Sequence, residues 1–397
     1  MNAESRSRAS AFGVLLPLLL ISLVTLLTGC PEKLLYPDLM KPVARYSFYT
    51  GDDARQIDRW LVAPDPDEPR RLNAFDLEEK KYAWSSTLLP DCMVVAGNEK
   101  YIYAYPGGCR EGAPLELLTL DAHSGEILSR TDASPAGNVA TFSTPPQTTD
   151  DRLFVPLKGG TKIAVFTLGP SGVAWEKLLT TPNATSSQAK IVSLSTGPND
   201  ALFLGVGYES CEATLPTIFR IDVANNLVVW QAVTQTCTWH ISGPQTLAYT
   251  NGLIFTDTPK GFFVFNAQTG YREWDFFADE MSECNWTVAE GHAVSCLYSP
   301  GSESYFHVNL DLDNLFYEYY PCGDTGLYFD SYTPALILHD VYYLLTDFGI
   351  LAFDIASREP LSLPSGNYLS ANNYIYAFGD SIWAASATEL VEFKILK

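Results

Sequence analysis

Basic residues are scarce: 25 Lys and Arg stand against 46 Asp and Glu in 397 residues, a net charge of −21. A surface with that balance repels nucleic acid and anionic lipid, so no nucleic-acid partner is expected. Histidine is rarer still, and the five present (His123, His240, His292, His307, His339) lie far apart without metal-ligand spacing. Each reads as a turn or strand residue. No C-x-x-C pair occurs, which argues against zinc, thiol exchange and covalent haem, and no G-x-S-x-G marks a serine nucleophile. Gly107-Gly108 and Gly159-Gly160 lack the lysine and helix of a phosphate loop, and Asp311-Leu312-Asp313-Asn314 lacks the glycine and distal glutamate of a calcium loop. No segment beyond residue 30 is apolar enough to span a bilayer, and no long stretch there shows a 3.6-residue apolar period. The expectation is a non-enzyme, with no catalytic residue, no metal and no cofactor.

What is present begins with a secretory layout. Arg6 and Arg8 precede a largely apolar run from Ala11 to Leu27, followed by Leu27-Thr28-Gly29-Cys30. That tetrapeptide fits the bacterial lipobox, so residues 1–29 read as a lipoprotein signal peptide and Cys30 as the lipidated first residue of the mature protein. Residues 30–43 then form a tether. An uncleaved transmembrane helix is the competing reading, because the run sits at the lower limit for spanning. A lipid-anchored protein of the bacterial cell envelope is expected; Pro31, and not an aspartate, follows the cysteine, which points to the outer membrane.

The exported chain is organised by an internal repeat. The phrase Leu118-Thr119-Leu120-Asp121-Ala122-His123-Ser124-Gly125 returns as Val264-Phe265-Asn266-Ala267-Gln268-Thr269-Gly270 and as Phe219-Arg220-Ile221-Asp222-Val223-Ala224-Asn225-Asn226. Weaker copies place the anchor position at 76, 121, 167, 222, 266, 311, 354 and 394, mostly about 45 residues apart. Eight residues past the anchor stands Trp84, Trp175, Trp230 or Trp274, with Tyr319 in a fifth unit. Apolar alternation before the anchor predicts a half-buried strand, and Gly125, Gly270 or Asn226 supplies the positive φ of a hairpin turn. The tryptophan then lies on the returning strand, where its ring can fill space between neighbouring sheets.

With further apolar runs upstream, each unit holds about four strands, the size of a propeller blade. The phrase resembles the repeat of pyrroloquinoline-quinone-type propellers, and its combination with a lipobox is similar to the propeller lipoproteins of outer-membrane barrel-assembly machines. The resemblance covers residues 45–397. It implies an all-β, eight-bladed β-propeller of four-stranded antiparallel blades over 44–397, with seven blades as the alternative. It also implies a scaffold or adaptor for envelope proteins. A surface-displayed module for a polymer or small ligand is the second reading. A quinoprotein dehydrogenase is a distant third, because members using that cofactor carry adjacent cysteines and this chain has none.

Seven cysteines remain after Cys30, and in an exported chain they are disulfide candidates. Cys92 with Cys109 and Cys211 with Cys237 each belong to one blade and to loops of one face. Cys284 and Cys296 flank a hairpin expected to turn at Glu290-Gly291, leaving Cys322 odd; Cys284 with Cys322 is the alternative. The last unit ends soon after its anchor, so a strand from the N-terminal side should complete it. With blade 1 taken to begin near Tyr46, the expected closing segment is Leu34-Leu35-Tyr36, paired with 390–396.

Overall fold

The computed structural model describes residues 40–49, 54–89, 93–106, 116–132, 146–157, 162–169, 172–180, 189–208, 217–234, 246–258, 261–277, 286–299, 304–321, 335–346, 349–357, 360–362, 374–386 and 388–395. These residues form 32 strands in eight four-stranded antiparallel sheets, and no helix. Blades 1 to 7 are contiguous in sequence, over 55–85, 93–132, 147–180, 189–233, 247–277, 287–321 and 335–362. The first strands of successive blades touch one another, which puts them innermost, and each fourth strand forms the outer edge.

Blade 8 is made from both ends of the chain. Tyr374–Phe378, Ser381–Ala385 and Glu389–Ile395 supply three strands, and Met40–Ser47 supplies the fourth, in register from Met40 opposite Ile395 to Ser47 opposite Glu389. An N-terminal segment therefore closes the ring, but it is not the segment expected. Tyr46 lies in the closing strand opposite Leu390, and blade 1 begins at Arg55. Leu34–Tyr36 lie outside the described residues, and Glu389–Ile395 is already paired on both sides. The reason is visible in the packing: the Tyr46 ring meets Phe75 of blade 1 at 5.1 Å and Trp383 at 5.8 Å, and Phe48 is buried beside them. Pro42 is accommodated because the strand is an edge with a bulge between Pro42 and Ala44.

The core consists of eight apolar clusters, one at each junction between consecutive blades, including the junction of blade 8 with blade 1. The two-residue period of a strand distributes side chains between them. Along Val341–Thr346, Tyr342 and Leu344 face blade 6 while Tyr343 and Leu345 face blade 8. Third strands such as Leu72–Asp76 are consequently buried along their whole length, and not half-buried as their alternation suggested. Half-burial belongs to the fourth strands instead. Where the ring closes, Glu392 is 1% exposed, and its Oε1 accepts hydrogen bonds from Lys80 Nζ of blade 1 at 2.6 Å and Ser381 Oγ at 2.9 Å.

Candidate functional site: the turn face and the cleft between blades 2 and 3

Connections between first and second strands, and between third and fourth, share one face of the disc, and the repeat phrase builds it. The Asp121 carboxylate accepts the N–H groups of His123 and Ser124 at 2.9 and 2.8 Å. Asp76, Asn266 and Asp311 cap their own turns in the same way. Burial pushes the Asp121 carboxyl up, but the N–H and hydroxyl of Ser124 and the N–H of His123 outweigh it and hold the group below the ordinary carboxylate value. Asp311 follows the same pattern through Asn314 and Asp313. The residue after each anchor then donates its N–H to the neighbouring first turn in all eight blades, as Ala122 does to Lys100 O at 3.0 Å and Leu168 to Asp151 O at 2.7 Å.

Fourth strands carry a β-bulge in seven blades, counting the closing strand. A bulge inserts one residue and so reverses which side the following residues face. Trp84 and Trp230, just past the bulge, are thereby turned toward the next blade. Trp84 Nε1 donates to Ala122 O at 2.7 Å and Trp230 Nε1 to Ala267 O at 3.1 Å, in each case the carbonyl just past the next anchor. The turn glycine completes the fit. A Cβ on Gly125 would collide with the Trp84 ring, and one on Gly270 would lie 2.6 Å from Trp230.

The sequence offset and the structural position part company in two blades, and in a third they agree on a residue that is not aromatic. Trp175 precedes its bulge, so it faces blade 2 and packs on Phe166 at 5.5 Å; Lys177 holds the equivalent place and donates to Val223 O at 2.5 Å. Tyr319 pairs opposite Val308, one step out of register, because blade 6 has no bulge. In blade 2 the position opposite the second residue before the anchor is Ser129, facing Thr119.

At that junction the next hairpin has moved in. Gly172 of blade 3 lies so near Ser129 that a Cβ on it would strike the serine hydroxyl. Among the described residues, the hydroxyls of Ser129 and Thr119 are buried without a hydrogen-bond partner. Inward of this contact a cleft of about 430 Å³ opens on the turn face, lined by Asn98, Tyr101, Tyr103, Asp150, Leu168 and Gly169 among others. That volume is within the range of small-ligand sites. Tyr103 lines it and receives a hydrogen bond from the Asn98 side chain; burial pushes its phenol up to about 12. Leu168 is the counterpart of Ala122 and Ala267, the residues whose carbonyls receive an indole N–H elsewhere. At the junction of blades 1 and 2 the corresponding space is filled by Trp60, which donates to Glu99 O at 3.3 Å and meets the His123 ring at 5.2 Å.

Of the residues nominated from sequence, Cys30, Cys92, Cys109, Cys211, Cys237, Cys284 and Cys322 lie outside the described residues. Cys296 lies in His292–Ser299 opposite His307, in a hairpin that does turn at Glu290-Gly291, both with positive φ. His123 and His339 occupy turns, His292 and His307 strands, and His240 lies outside the described residues. Among the described residues no group of three or more His, Cys, Asp or Glu is placed to hold a metal ion, and no helix is long and apolar enough to cross a membrane. Sequence reasoning missed the cleft; its signal is Tyr101 where blade 1 has Trp60, and Gly169 where blade 2 has His123.

No family model and no curated protein matches this chain. Solved structures do. BamB from Moraxella catarrhalis superposes with a TM-score of 0.59 at 12% identity, over 89% of this chain and 97% of that one. Sqt1 from Saccharomyces cerevisiae gives 0.61 at 9%, over 90% and 99%. A quinohemoprotein alcohol dehydrogenase from Pseudomonas putida gives 0.58 at 11%, over 91% of this chain and 77% of the enzyme. At these identities the likeness is one of fold, shared by proteins of different activity.

Proposed function

We propose that this protein is a non-catalytic scaffold or adaptor, lipid-anchored in the bacterial cell envelope through Cys30 and held at the outer membrane. The observation that carries the reading is the place where the chain joins the ring: Met40 opens the closing strand of blade 8 on the turn face, only ten residues after Cys30. Ten residues reach about 35 Å at most. A diacylated Cys30 would therefore hold the turn face near the lipid, and the opposite face would look away from it. Eight packed junctions make the disc between them a rigid spacer suited to joining protein partners. BamB from Moraxella catarrhalis, which covers nearly the same length, lends the envelope setting support by analogy of fold.

The test is radiolabelled palmitate incorporation together with co-purification. Wild-type protein should label, Cys30→Ala should not, and gently solubilised membranes should yield envelope proteins bound to the wild type. Equal labelling of both forms would sink the anchor, and recovery of the protein alone would sink the adaptor. The second reading, a binding module for a small ligand, is favoured by the cleft between blades 2 and 3.

A further inference from the structure

We infer that the cleft between blades 2 and 3 receives, from outside the chain, a guanidinium group that stacks on Tyr101 and pairs with the carboxylates of Glu99 and Asp150. The cleft owes its shape to two positions of the repeat. Trp60 and Tyr101 stand opposite the anchors Asp76 and Asp121, at the start of the second strand of blades 1 and 2. At the junction of blades 1 and 2 the larger ring closes the space, with Trp60 reaching Glu99 O and meeting His123, two residues past the anchor of blade 2. At the junction of blades 2 and 3 the ring is a phenol, and the residue two past the anchor is Gly169, which brings no side chain. Both reductions fall on the lining of the cleft, and Tyr101 is left half-buried where Tyr103 is buried.

The lining carries two carboxylates, Glu99 and Asp150, against one ammonium, Lys100. All three are exposed, and none of them forms an ion pair among the described residues. Blade 1 shows how a ring at this register position is used. Arg59, the residue before Trp60, holds its Cζ 4.6 Å over the indole, while Asp76 accepts from one guanidinium nitrogen at 2.7 Å and Glu78 accepts from the other. Blade 2 repeats the ring with Tyr101 but has Lys100 in place of Arg59, and among the described residues Lys100 stacks on no ring. A planar guanidinium can lie on the Tyr101 face and still present donors to carboxylates at its edge, which a compact ammonium does less well. The net charge of −21 draws cations to the disc from a distance. Two sources supply the group: an arginine side chain on a partner protein, or a small guanidine compound. The first rests on the scaffold reading and the second on the binding-module reading.

Saturation-transfer NMR titrations of Nα-acetylarginine amide, its citrulline analogue and an acetylated Gly-Ser-Arg-Ser-Gly amide, each against the full chain in non-ionic detergent, test it. Both arginine probes should bind, and the citrulline analogue, which keeps the shape and loses the charge, should bind about ten-fold more weakly. Asp150→Asn should weaken the arginine probes about three- to five-fold. Gly169→Leu should abolish binding in a protein that still folds, because a Cβ there meets only Gly172 O at 3.8 Å and the residue has no left-handed φ. Tyr101→Trp combined with Gly169→His, which rebuilds the junction of blades 1 and 2, should abolish it as well. A tighter peptide assigns the guanidinium to a partner protein, and a tighter arginine amide assigns it to a small molecule; both uphold the site. Equal binding of the citrulline analogue, an unchanged affinity in Asp150→Asn, binding that survives Gly169→Leu or the double variant in a folded protein, or no binding of either arginine probe would overturn it. Palmitate labelling and co-purification are independent of these outcomes, so a failed scaffold and a failed cleft are told apart.

Discussion

The junction of blades 1 and 2 and the junction of blades 2 and 3 are built from the same repeat, yet they hold the hairpin turn in different ways. In the first, Trp84 is 6% exposed, donates to Ala122 O and leaves room beside its ring for a glycine and nothing larger. In the second, a serine stands in its place and Gly172 of the next hairpin packs on it, while the cleft of that junction lies between the first turns and Leu168-Gly169. The difference teaches that the ring tolerates loss of a tryptophan at one junction because the apolar cluster below, from Leu153 to Phe166, is complete without it. At this junction structure is kept by the core, and the outer position is free to change.

The largest effect that would break this contrast is Trp84→Ala. Removing a buried indole should cost about 3–5 kcal/mol. The urea midpoint should fall accordingly, and the N–H that Ala122 received is lost with the ring. A midpoint lowered by less than the equivalent of about 1 kcal/mol would show that the first junction is no more dependent on its tryptophan than the second.

Gly125→Ala should come next, at about 1–3 kcal/mol, since the residue has φ +69° and its new methyl collides with Trp84. Gly252→Ala is the comparison, with φ +81° but no atom within 4 Å of the added carbon. It should show only the left-handed backbone cost of about 1 kcal/mol. Equal losses at the two sites would remove the indole from the explanation.

Much of this architecture was legible in the sequence. The anchor, the turn and the glycine are local, and their physics is contained in eight residues, so Asp121 to Gly125 could be read directly. The blade count followed from spacing. What could not be read depends on a single inserted residue or on distant partners. A bulge leaves the apolar pattern looking intact while reversing its sides, so Trp175 seemed equivalent to Trp84 when Lys177 is. The salt bridge of Lys80 with Glu392 joins residues 312 positions apart. The closing strand is misplaced by the sequence because Tyr46 and its neighbours read as the start of blade 1, which pushes the expected segment back to Leu34–Tyr36; blade 1 in fact opens at Arg55.

Acid should probe the turns themselves. Asp121, Asp311 and Glu176 are held below their ordinary values in the folded state. Their contribution is therefore complete above the unfolded carboxylate range near about pH 4 and is lost as pH falls through the depressed values. Stability should decline as pH falls below about 4, and Asp121→Ala should flatten that decline while costing about 1–2 kcal/mol at neutral pH. A decline unchanged in the variant would mean that the Asp121 turn does not contribute to it.

The smallest expected effect is also the sharpest test of the comparison. Ser129 occupies the place of the missing indole, and among the described residues its hydroxyl is buried without a hydrogen-bond partner, as is that of Thr119 opposite. A buried polar group in that condition has given up hydration and gained nothing in return. Ser129→Ala removes the unsatisfied oxygen and leaves the Cβ that packs under Gly172, so it should be neutral or stabilising by up to about 1 kcal/mol. Trp84→Ala, a truncation at the same repeat position one blade earlier, should be the costliest of the set. If Ser129→Ala instead destabilises by more than about 1 kcal/mol, its hydroxyl has a partner in solution. The second junction would then be fastened by a polar contact, and the cleft beside it would be a by-product of that fastening.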